Sequence, residues 1–154
     1  MQERPLDDTR ALVALQRLQA AYGDAVTRRA WDEVATLFEP DAVVQIDTRT
    51  REPFDIEGPG ALVEFIERSL EQFTFFEFAI VNAVAEVDGD DGRGRVYICE
   101  LRCDPAGEWS QAYGLYQDRY RRTGDDWRIA GRRYSSLART GSRIEAFELP
   151  VIEP

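Results

Sequence analysis

A carboxylate among aromatic residues is the feature of this sequence that could most readily do chemistry. Residues 111–122 alternate with a period of two, as a β-strand does. Asp118 falls on one face of that strand, where its neighbours are Gly114, Tyr116 and Tyr120. If this face lines a cavity, the carboxylate is costly to bury unless it is paired. The site is therefore either structural, through an ion pair with an arginine, or chemical.

A tight turn joins this strand to its partner. Residues Thr123 to Asp126 are turn formers, and the run from Trp127 to Tyr134 returns as a second strand. This hairpin must position Asp118, so we expect the rest of the sheet to be built around it.

The absence of histidine limits the available chemistry. None of the 154 residues is a histidine, which excludes a Ser-His-Asp or Cys-His apparatus and the usual zinc sites. Acid–base chemistry must then come from groups such as Asp, Glu and Tyr with shifted pKa values. Cys99 and Cys103 lie too far apart on one strand to form a disulfide. We expect no metal and no cofactor.

The charge balance limits the partners. Twenty-nine acidic residues against 19 basic ones give a net charge of −10, which argues against nucleic acid and anionic membranes. No stretch approaches the ~20 apolar residues that span a bilayer. The N-terminal segment MQERPLDDTR is polar and acidic, unlike a targeting peptide. These features favour a single cytoplasmic domain.

The hydrophobic pattern predicts the other elements. A first helix carries an apolar stripe at helical spacing, formed by Leu12, Leu15, Leu18, Tyr22 and Val26. It is followed by a helix over 31–38, a strand over 41–47, a loop over 48–59, a helix over 61–72, and strands over 75–87 and 95–103. This order predicts an α+β domain, with helices on one face of a curved antiparallel sheet.

Two further polar residues are candidates for a pocket. Asn82 shares a strand face with Phe78, Ile80 and Val84, from which it would orient a ligand or satisfy a pocket carboxylate; alternatively it hydrogen-bonds within the sheet. Glu100 could also face the pocket. Alternation does not fix its side, because both faces of its strand mix polar and apolar residues.

Two stretches resemble the SnoaL-like branch of the nuclear transport factor 2-like superfamily. They are AAYGDAVTRRAWDEVATLFEPDAVV and GLYQDRYRRTGDDWRIAGRRYSSLAR. The resemblance covers about residues 8–139 and leaves 140–154 as a C-terminal extension of one domain, 1–154. It implies a cone of curved sheet closed by three helices, with a deep apolar pocket at the open end. Members include polyketide cyclases, dehydratases, ketosteroid isomerases and limonene-epoxide hydrolases, alongside many without demonstrated activity.

The resemblance also implies catalytic roles. Tyr22 falls where ketosteroid isomerases keep a tyrosine that hydrogen-bonds the oxyanion, and Asp118 where they keep a neutral carboxylic acid. Asp47 lies one residue beyond their general base, which aligns with Ile46, and a one-residue slip reverses the face of a strand. Glu100 is the alternative base. Tyr22 could instead be a core tyrosine, and Asp118 the structural ion pair already considered.

The dehydratase members keep an aspartate and a histidine, which would fall at Thr27 and Phe78 and are absent here.

Two hypotheses about function follow. One is an isomerase, cyclase or dehydratase that works without histidine on a small, mostly apolar, polyketide- or steroid-like molecule. In it, Tyr22, Asp47 and Asp118 are catalytic, and Phe78, Asn82, Glu100 and Tyr116 line the pocket. The other is a non-catalytic ligand-binding or dimerisation module. The resemblance implies a homodimer, because members of the family commonly form dimers, and the apolar residues of the C-terminal tail favour one as well.

Overall fold

The computed structural model describes residues 6–154; the first five residues of the polar N-terminal segment lie outside it. The helices are α1 (Leu6–Arg28), α2 (Trp31–Thr36) and α3 (Pro59–Leu70). The strands are β1 (Phe38–Asp47), β2 (Phe54–Glu57), β3 (Phe75–Asp88), β4 (Asp91–Cys103), β5 (Trp109–Thr123), β6 (Asp126–Thr140) and β7 (Glu145–Ala146). In this part of the chain no helix is both long and apolar enough to cross a bilayer.

One curved, open sheet forms the body of the domain. Its strand order is β2-β1-β6-β5-β4-β3, with β7 added beside β6. The pairs from β3 to β6 are antiparallel, as the meander predicts, whereas β1 runs parallel to β6. The predicted α+β cone is confirmed, and the sheet is mixed rather than wholly antiparallel.

The helices bury their apolar stripes against the concave face of the sheet. On α1, Leu15, Leu18, Tyr22 and Val26 are buried, while Leu12 is half-buried. Spacings of three and four residues place these side chains on one side of the helix. They join one core with α3 and with the inward residues of the strands. Tyr22 thereby comes to lie inside the cone.

Some boundaries differ from the sequence prediction. Residues 54–57 form a strand rather than a loop, because their backbone pairs with residues 43–46 of β1. Strand β6 continues six residues beyond Tyr134, to Thr140, where it pairs with β5 and β7. The tail then crosses to β5, where the Gln117 side chain donates to the Val151 carbonyl and accepts from the Glu153 amide.

Three β-bulges, at Val81 in β3 and at Ala130 and Leu137 in β6, set which residues of these strands face the cone. In β3, Ile80 pairs with Ile98 and Asn82 with Tyr97, so Val81 has no partner. In β6, Ile129 pairs with Tyr120 and Gly131 with Arg119, so Ala130 has none. An extra residue in one strand reverses the inward–outward alternation beyond it.

Candidate active site in the cone

A cavity of about 190 Å³ lies between α1, α3 and the concave face of the sheet. Its walls are mainly apolar and aromatic, and they include Val26, Ile46, Leu62, Phe65, Phe76 and Phe78. An apolar cavity of about 150 Å³ binds benzene. A molecule with one ring therefore fits inside, and a polycyclic one would have to extend through the mouth.

Glu100 brings a carboxylate to this cavity. Among the described residues that line it, Glu100 is the only acid. Burial raises the pKa of its carboxyl above the ordinary value, and the nearby charges of Arg102 and Arg139 only partly oppose that shift. The Arg102 Nη1 atom lies 3.7 Å from the Glu100 Oε2 atom, which is too long for a direct hydrogen bond. Glu100 is therefore a carboxyl in a site that disfavours its charge.

Three tyrosines share the cavity with Glu100. Tyr22, Tyr116 and Tyr134 all line it. Burial raises the pKa of Tyr22 and lifts that of Tyr116 well above its usual range; burial also raises the pKa of Tyr134 to about 12. The carboxylate of Glu100 contributes to all three shifts. At neutral pH the three rings therefore carry protonated hydroxyls, which can donate hydrogen bonds.

Asp118 lies behind the cavity in a buried ion pair. Its Oδ1 accepts from the Arg132 Nε at 2.7 Å, and its Oδ2 from the Arg132 Nη2 at 2.8 Å. Gln19 donates to the same Oδ2 at 2.7 Å, and the Tyr120 hydroxyl donates to it at 3.1 Å. Both carboxylate oxygens are thus occupied as acceptors. These contacts support the structural alternative for Asp118 rather than a neutral acid that donates to a ligand.

Arg132 of this ion pair also packs against two of the aromatic rings that line the cavity. The guanidinium carbon of Arg132 lies 3.8 Å from the ring centroid of Tyr116 and 4.5 Å from that of Tyr22. The Tyr116 ring stacks on Phe78 with centroids 6.1 Å apart and meets Tyr22 edge-on at 6.0 Å. Cation–π and aromatic contacts of this kind fix ring orientation. Arg132 therefore positions the two tyrosines.

Asp47 does not line the cavity, although the residues on either side of it, Ile46 and Thr48, do. The Asp47 Oδ1 atom accepts from the Arg49 backbone amide at 2.8 Å, at the end of β1. Arg49 has a left-handed φ of 65°, and this turn hydrogen bond helps to hold it there. The geometry gives no support to Asp47 as the base, because the inward position on β1 belongs to Ile46.

Asn82 is exposed and does not line the cavity. The bulge at Val81 reverses the alternation of β3, so Phe78 points inward and Asn82 does not. The prediction that the two share one face is wrong for that reason. Of the sequence candidates, the cavity brings together Tyr22, Phe78, Glu100 and Tyr116.

The sequence analysis did not anticipate the polar lining residues Thr48, Ser69, Gln72, Arg102, Arg132, Tyr134 and Arg139. Arg102 could have been placed by its spacing, because it lies two residues beyond Glu100 on the same face of β4. Counting cross-strand pairs from the turn at Gly124 predicts which residue of β6 lies opposite Asp118, but only to within one position. The bulge at Ala130 moves that position from Gly131 to Arg132. Arg139 lies on a part of β6 that the sequence did not predict.

The positions that dehydratase members use are adjacent here. The Phe78 backbone amide donates to the Thr27 hydroxyl at 3.0 Å. Threonine and phenylalanine cannot form a carboxylate–imidazole pair, and of the two only Phe78 lines the cavity. Within residues 6–154 no group of three or more His, Cys, Asp or Glu side chains is placed to hold a metal ion.

The family assignment follows from comparison with known sequences. The sequence model of the SnoaL-like domain family matches residues 7–133. A related protein of Mycobacterium tuberculosis, the uncharacterized protein Rv2910c, is 33% identical over 121 residues, which are 77% of this chain and 80% of the relative. The chain belongs to the SnoaL-like domain family, as the two motifs predict.

Solved structures show the same fold. A candidate aromatic ring hydroxylase from Novosphingobium aromaticivorans has a TM-score of 0.75 at 23% identity, over 91% of this chain and 96% of that one. A candidate scytalone dehydratase from the same organism has a TM-score of 0.75 at 19% identity, over 90% and 93%. Hexachlorocyclohexane dehydrochlorinase LinA-type3 from Novosphingobium barchaimii has a TM-score of 0.71 at 17% identity, over 90% and 94%. At these identities the likeness establishes the fold alone.

Proposed function

We propose that this protein binds a small, mostly apolar molecule in the cone and catalyses a proton transfer on it, with Glu100 as the acid–base group. One observation carries the proposal: the Glu100 carboxyl, with a raised pKa, lies in a mainly apolar cavity beside protonated tyrosine hydroxyls. A pKa shifted toward neutrality suits a group that must both take and return a proton.

The tyrosines supply the other half of the chemistry. When Glu100 removes a proton from a carbon next to a carbonyl, negative charge develops on the carbonyl oxygen. The hydroxyls of Tyr22 and Tyr116 are the donors available to stabilise it, and each such donor contributes about 3 kcal/mol in other enzymes. Return of the proton to a different carbon completes an isomerisation, and loss of a leaving group completes an elimination.

Two neighbours have names that denote eliminations, a candidate scytalone dehydratase and a hexachlorocyclohexane dehydrochlorinase. A dehydration is therefore one form that the proposed reaction could take. Because Phe78 and Thr27 occupy the positions of the dehydratase pair, the base must come from elsewhere in the cavity. Glu100 is the residue with the right chemistry.

Deuterium exchange tests the proposal without knowledge of the substrate. Cyclohexanone and 2-methylcyclohexanone would be incubated with the protein in D₂O, and loss of the α-proton signals followed by NMR. We expect Glu100→Gln to slow exchange by about 10²–10⁴-fold, the usual contribution of a general base. Asp47→Asn is the matched control and should exchange as the wild type does. Equal rates for Glu100→Gln and wild type would exclude Glu100 as the base.

The engaged state of Asp118 favours a second candidate function, a binding module without turnover. Because Arg132 and Gln19 occupy its oxygens, Asp118 does not supply the second carboxylic acid that the ketosteroid isomerase resemblance implies. In that case the wild type would bind cyclic ketones, measured by calorimetry, and show no exchange above the buffer rate.

We also propose that the partner of this chain is a second copy, bound through the outer face of the sheet. Exposed Val43 and Val84 lie in a broad groove there, beside side chains of both charges. These are Arg95, Arg119, Arg121, Asp55, Glu86 and Asp88. A twofold interface brings a patch against itself, so a patch with both signs and an apolar part can be self-complementary.

A further inference from the structure

We infer that the ligand of the cone carries a carboxylate, which Arg102 and Arg139 bind while its apolar ring fills the cavity. This inference rests on the proposed function of the same cavity and names the class of molecule that it takes: a one-ring carboxylic acid. Its basis is an imbalance of charge among the lining side chains.

Within residues 6–154, three arginines line the cavity, Arg102, Arg132 and Arg139, against the single carboxyl of Glu100. The charge of Arg132 is already matched, because Asp118 binds it through two hydrogen bonds. Arg102 and Arg139 therefore remain with one acid between them. In a protein with a net charge of −10, this cavity carries a local excess of positive charge, which an anionic ligand would neutralise.

Arg102 is held in place with donor capacity to spare. Its Nε donates to the Ser110 hydroxyl at 3.2 Å, and its guanidinium lies 4.9 Å from the ring centroid of Phe73, another cavity residue. Its nearest carboxylate contact is the 3.7 Å approach of Nη1 to Glu100. A planar guanidinium fixed in this way is suited to bind a carboxylate through two parallel hydrogen bonds.

The Arg139 guanidinium is held by weaker contacts than that of Arg102. Its Nη2 reaches the Ser136 hydroxyl at 3.5 Å, the limit of a hydrogen bond. Glu145 lies opposite it in the β6–β7 pair without forming an ion pair with it: the Glu145 Oε1 atom accepts from Arg143 at 2.9 Å, and Oε2 is buried without a hydrogen-bond partner. Both arginines thus lie along the cavity wall near Glu100. The positive charge of each partly offsets the rise that burial causes in the Glu100 pKa. A ligand carboxylate placed between them would give both guanidinium groups an acceptor inside the cavity.

A matched pair of ligands tests the inference. 4-Ethylbenzoate and 4-ethylbenzamide share a ring and a shape and differ in charge, and their affinities would be compared by titration calorimetry. Hydrogen bonds between two charged groups are about twice as strong as those between neutral groups, so we expect the wild type to bind the acid at least about tenfold more tightly. Arg102→Gln and Arg139→Gln should each reduce this preference severalfold.

Two further variants make the result specific. Arg102→Lys keeps the charge and should retain part of the preference, which also covers the case in which the glutamine variants fail to fold. Arg17→Gln removes an exposed arginine from α1 and should leave the preference unchanged. Equal affinity for acid and amide, or a preference that survives both glutamine variants, would overturn the inference alone. If neither compound binds the wild type, the inference fails together with the proposed cavity function.

Discussion

Asp118 and Arg132 lie directly opposite each other on β5 and β6 and form a two-point ion pair sealed from solvent. Their side chains are 0% and 2% exposed, respectively. The pair also connects α1 to the sheet, because Gln19 donates to Asp118 and accepts from Arg132. Burying such a network costs desolvation free energy, and removing only one partner of the ion pair destabilises the fold much more.

The first prediction is that Asp118→Asn strongly destabilises the protein. The substitution leaves Arg132 as a buried charge without its counter-ion, which costs about 3–5 kcal/mol in comparable cases. Urea unfolding followed by circular dichroism would measure the change. The exposed pair between Arg28 and Asp24 on α1 offers the control, since Asp24→Asn should change stability by no more than about 1 kcal/mol. Similar effects in the two variants would argue against a structural role for Asp118.

The fold could be predicted from sequence where periodicity runs uninterrupted. The stripe on α1 placed Tyr22 inside the cone, and the alternation from Gly114 to Tyr120 placed Asp118 on the buried face; both residues are buried in the structure. Neither prediction depends on a distant partner, because a helix or a regular strand carries its own period.

The site was harder to predict because bulges shift the period by one residue. A single extra residue, Val81, moved Asn82 off the face of Phe78, and Ala130 set which residue of β6 faces Asp118. Without that second bulge, the turn at Gly124 would have placed Gly131 opposite Asp118. Bulges are stabilised by tertiary contacts, so local residue types give little warning of them. The side of Glu100 was unresolved for a related reason: β4 is buried on both faces near its end.

The second prediction concerns Glu100 and pH. Because burial raises its pKa, the native state holds this proton more tightly than the unfolded chain does. The stabilising contribution is therefore complete below the ordinary glutamate pKa of 4.5 and is lost as the pH rises through the native-state value. Glu100→Gln, which cannot ionise, should thus be more stable than the wild type at pH 7.

Urea midpoints measured from pH 3.5 to pH 8 would check this prediction. The gap between Glu100→Gln and wild type should narrow as the pH falls and close below about pH 4.5. Glu64→Gln, on the exposed side of α3, is the control and should track the wild type throughout. A glutamine variant that is less stable at pH 7 would show that ion pairing with Arg102 outweighs the cost of burial.

The third prediction concerns Gly114. The Tyr134 ring lies over this glycine, and an added Cβ would collide with the ring. Gly114→Ala should therefore displace Tyr134 within the cavity and destabilise the protein by about 1–3 kcal/mol, as overpacking does elsewhere. Thermal unfolding measures the loss, and titration with a cyclic ketone measures the change in the cavity. Gly60→Ala is a suitable control, because its Cβ would meet nothing within 4 Å. Unchanged stability and binding in Gly114→Ala would mean that Tyr134 moves freely.

The fourth prediction concerns self-association. If a second copy binds the outer face of the sheet, Val84→Asp should place a desolvated charge in the interface and convert the dimer to a monomer. Val84 is 45% exposed in the single chain, so the substitution should leave the fold of the protomer unchanged. Sedimentation velocity at micromolar concentration would report the mass, and circular dichroism the fold.

The control for this experiment is a valine of similar exposure on another surface. Val13 is 42% exposed on α1, far along the chain from the outer groove, and Val13→Asp should remain dimeric. A wild type that sediments as a monomer would remove the proposed partner. If both aspartate variants lose the dimer, the interface includes α1. Loss in Val84→Asp alone assigns the interface to the outer face, which leaves the mouth of the cone, with Arg102 and Arg139 inside it, open to ligand in each copy.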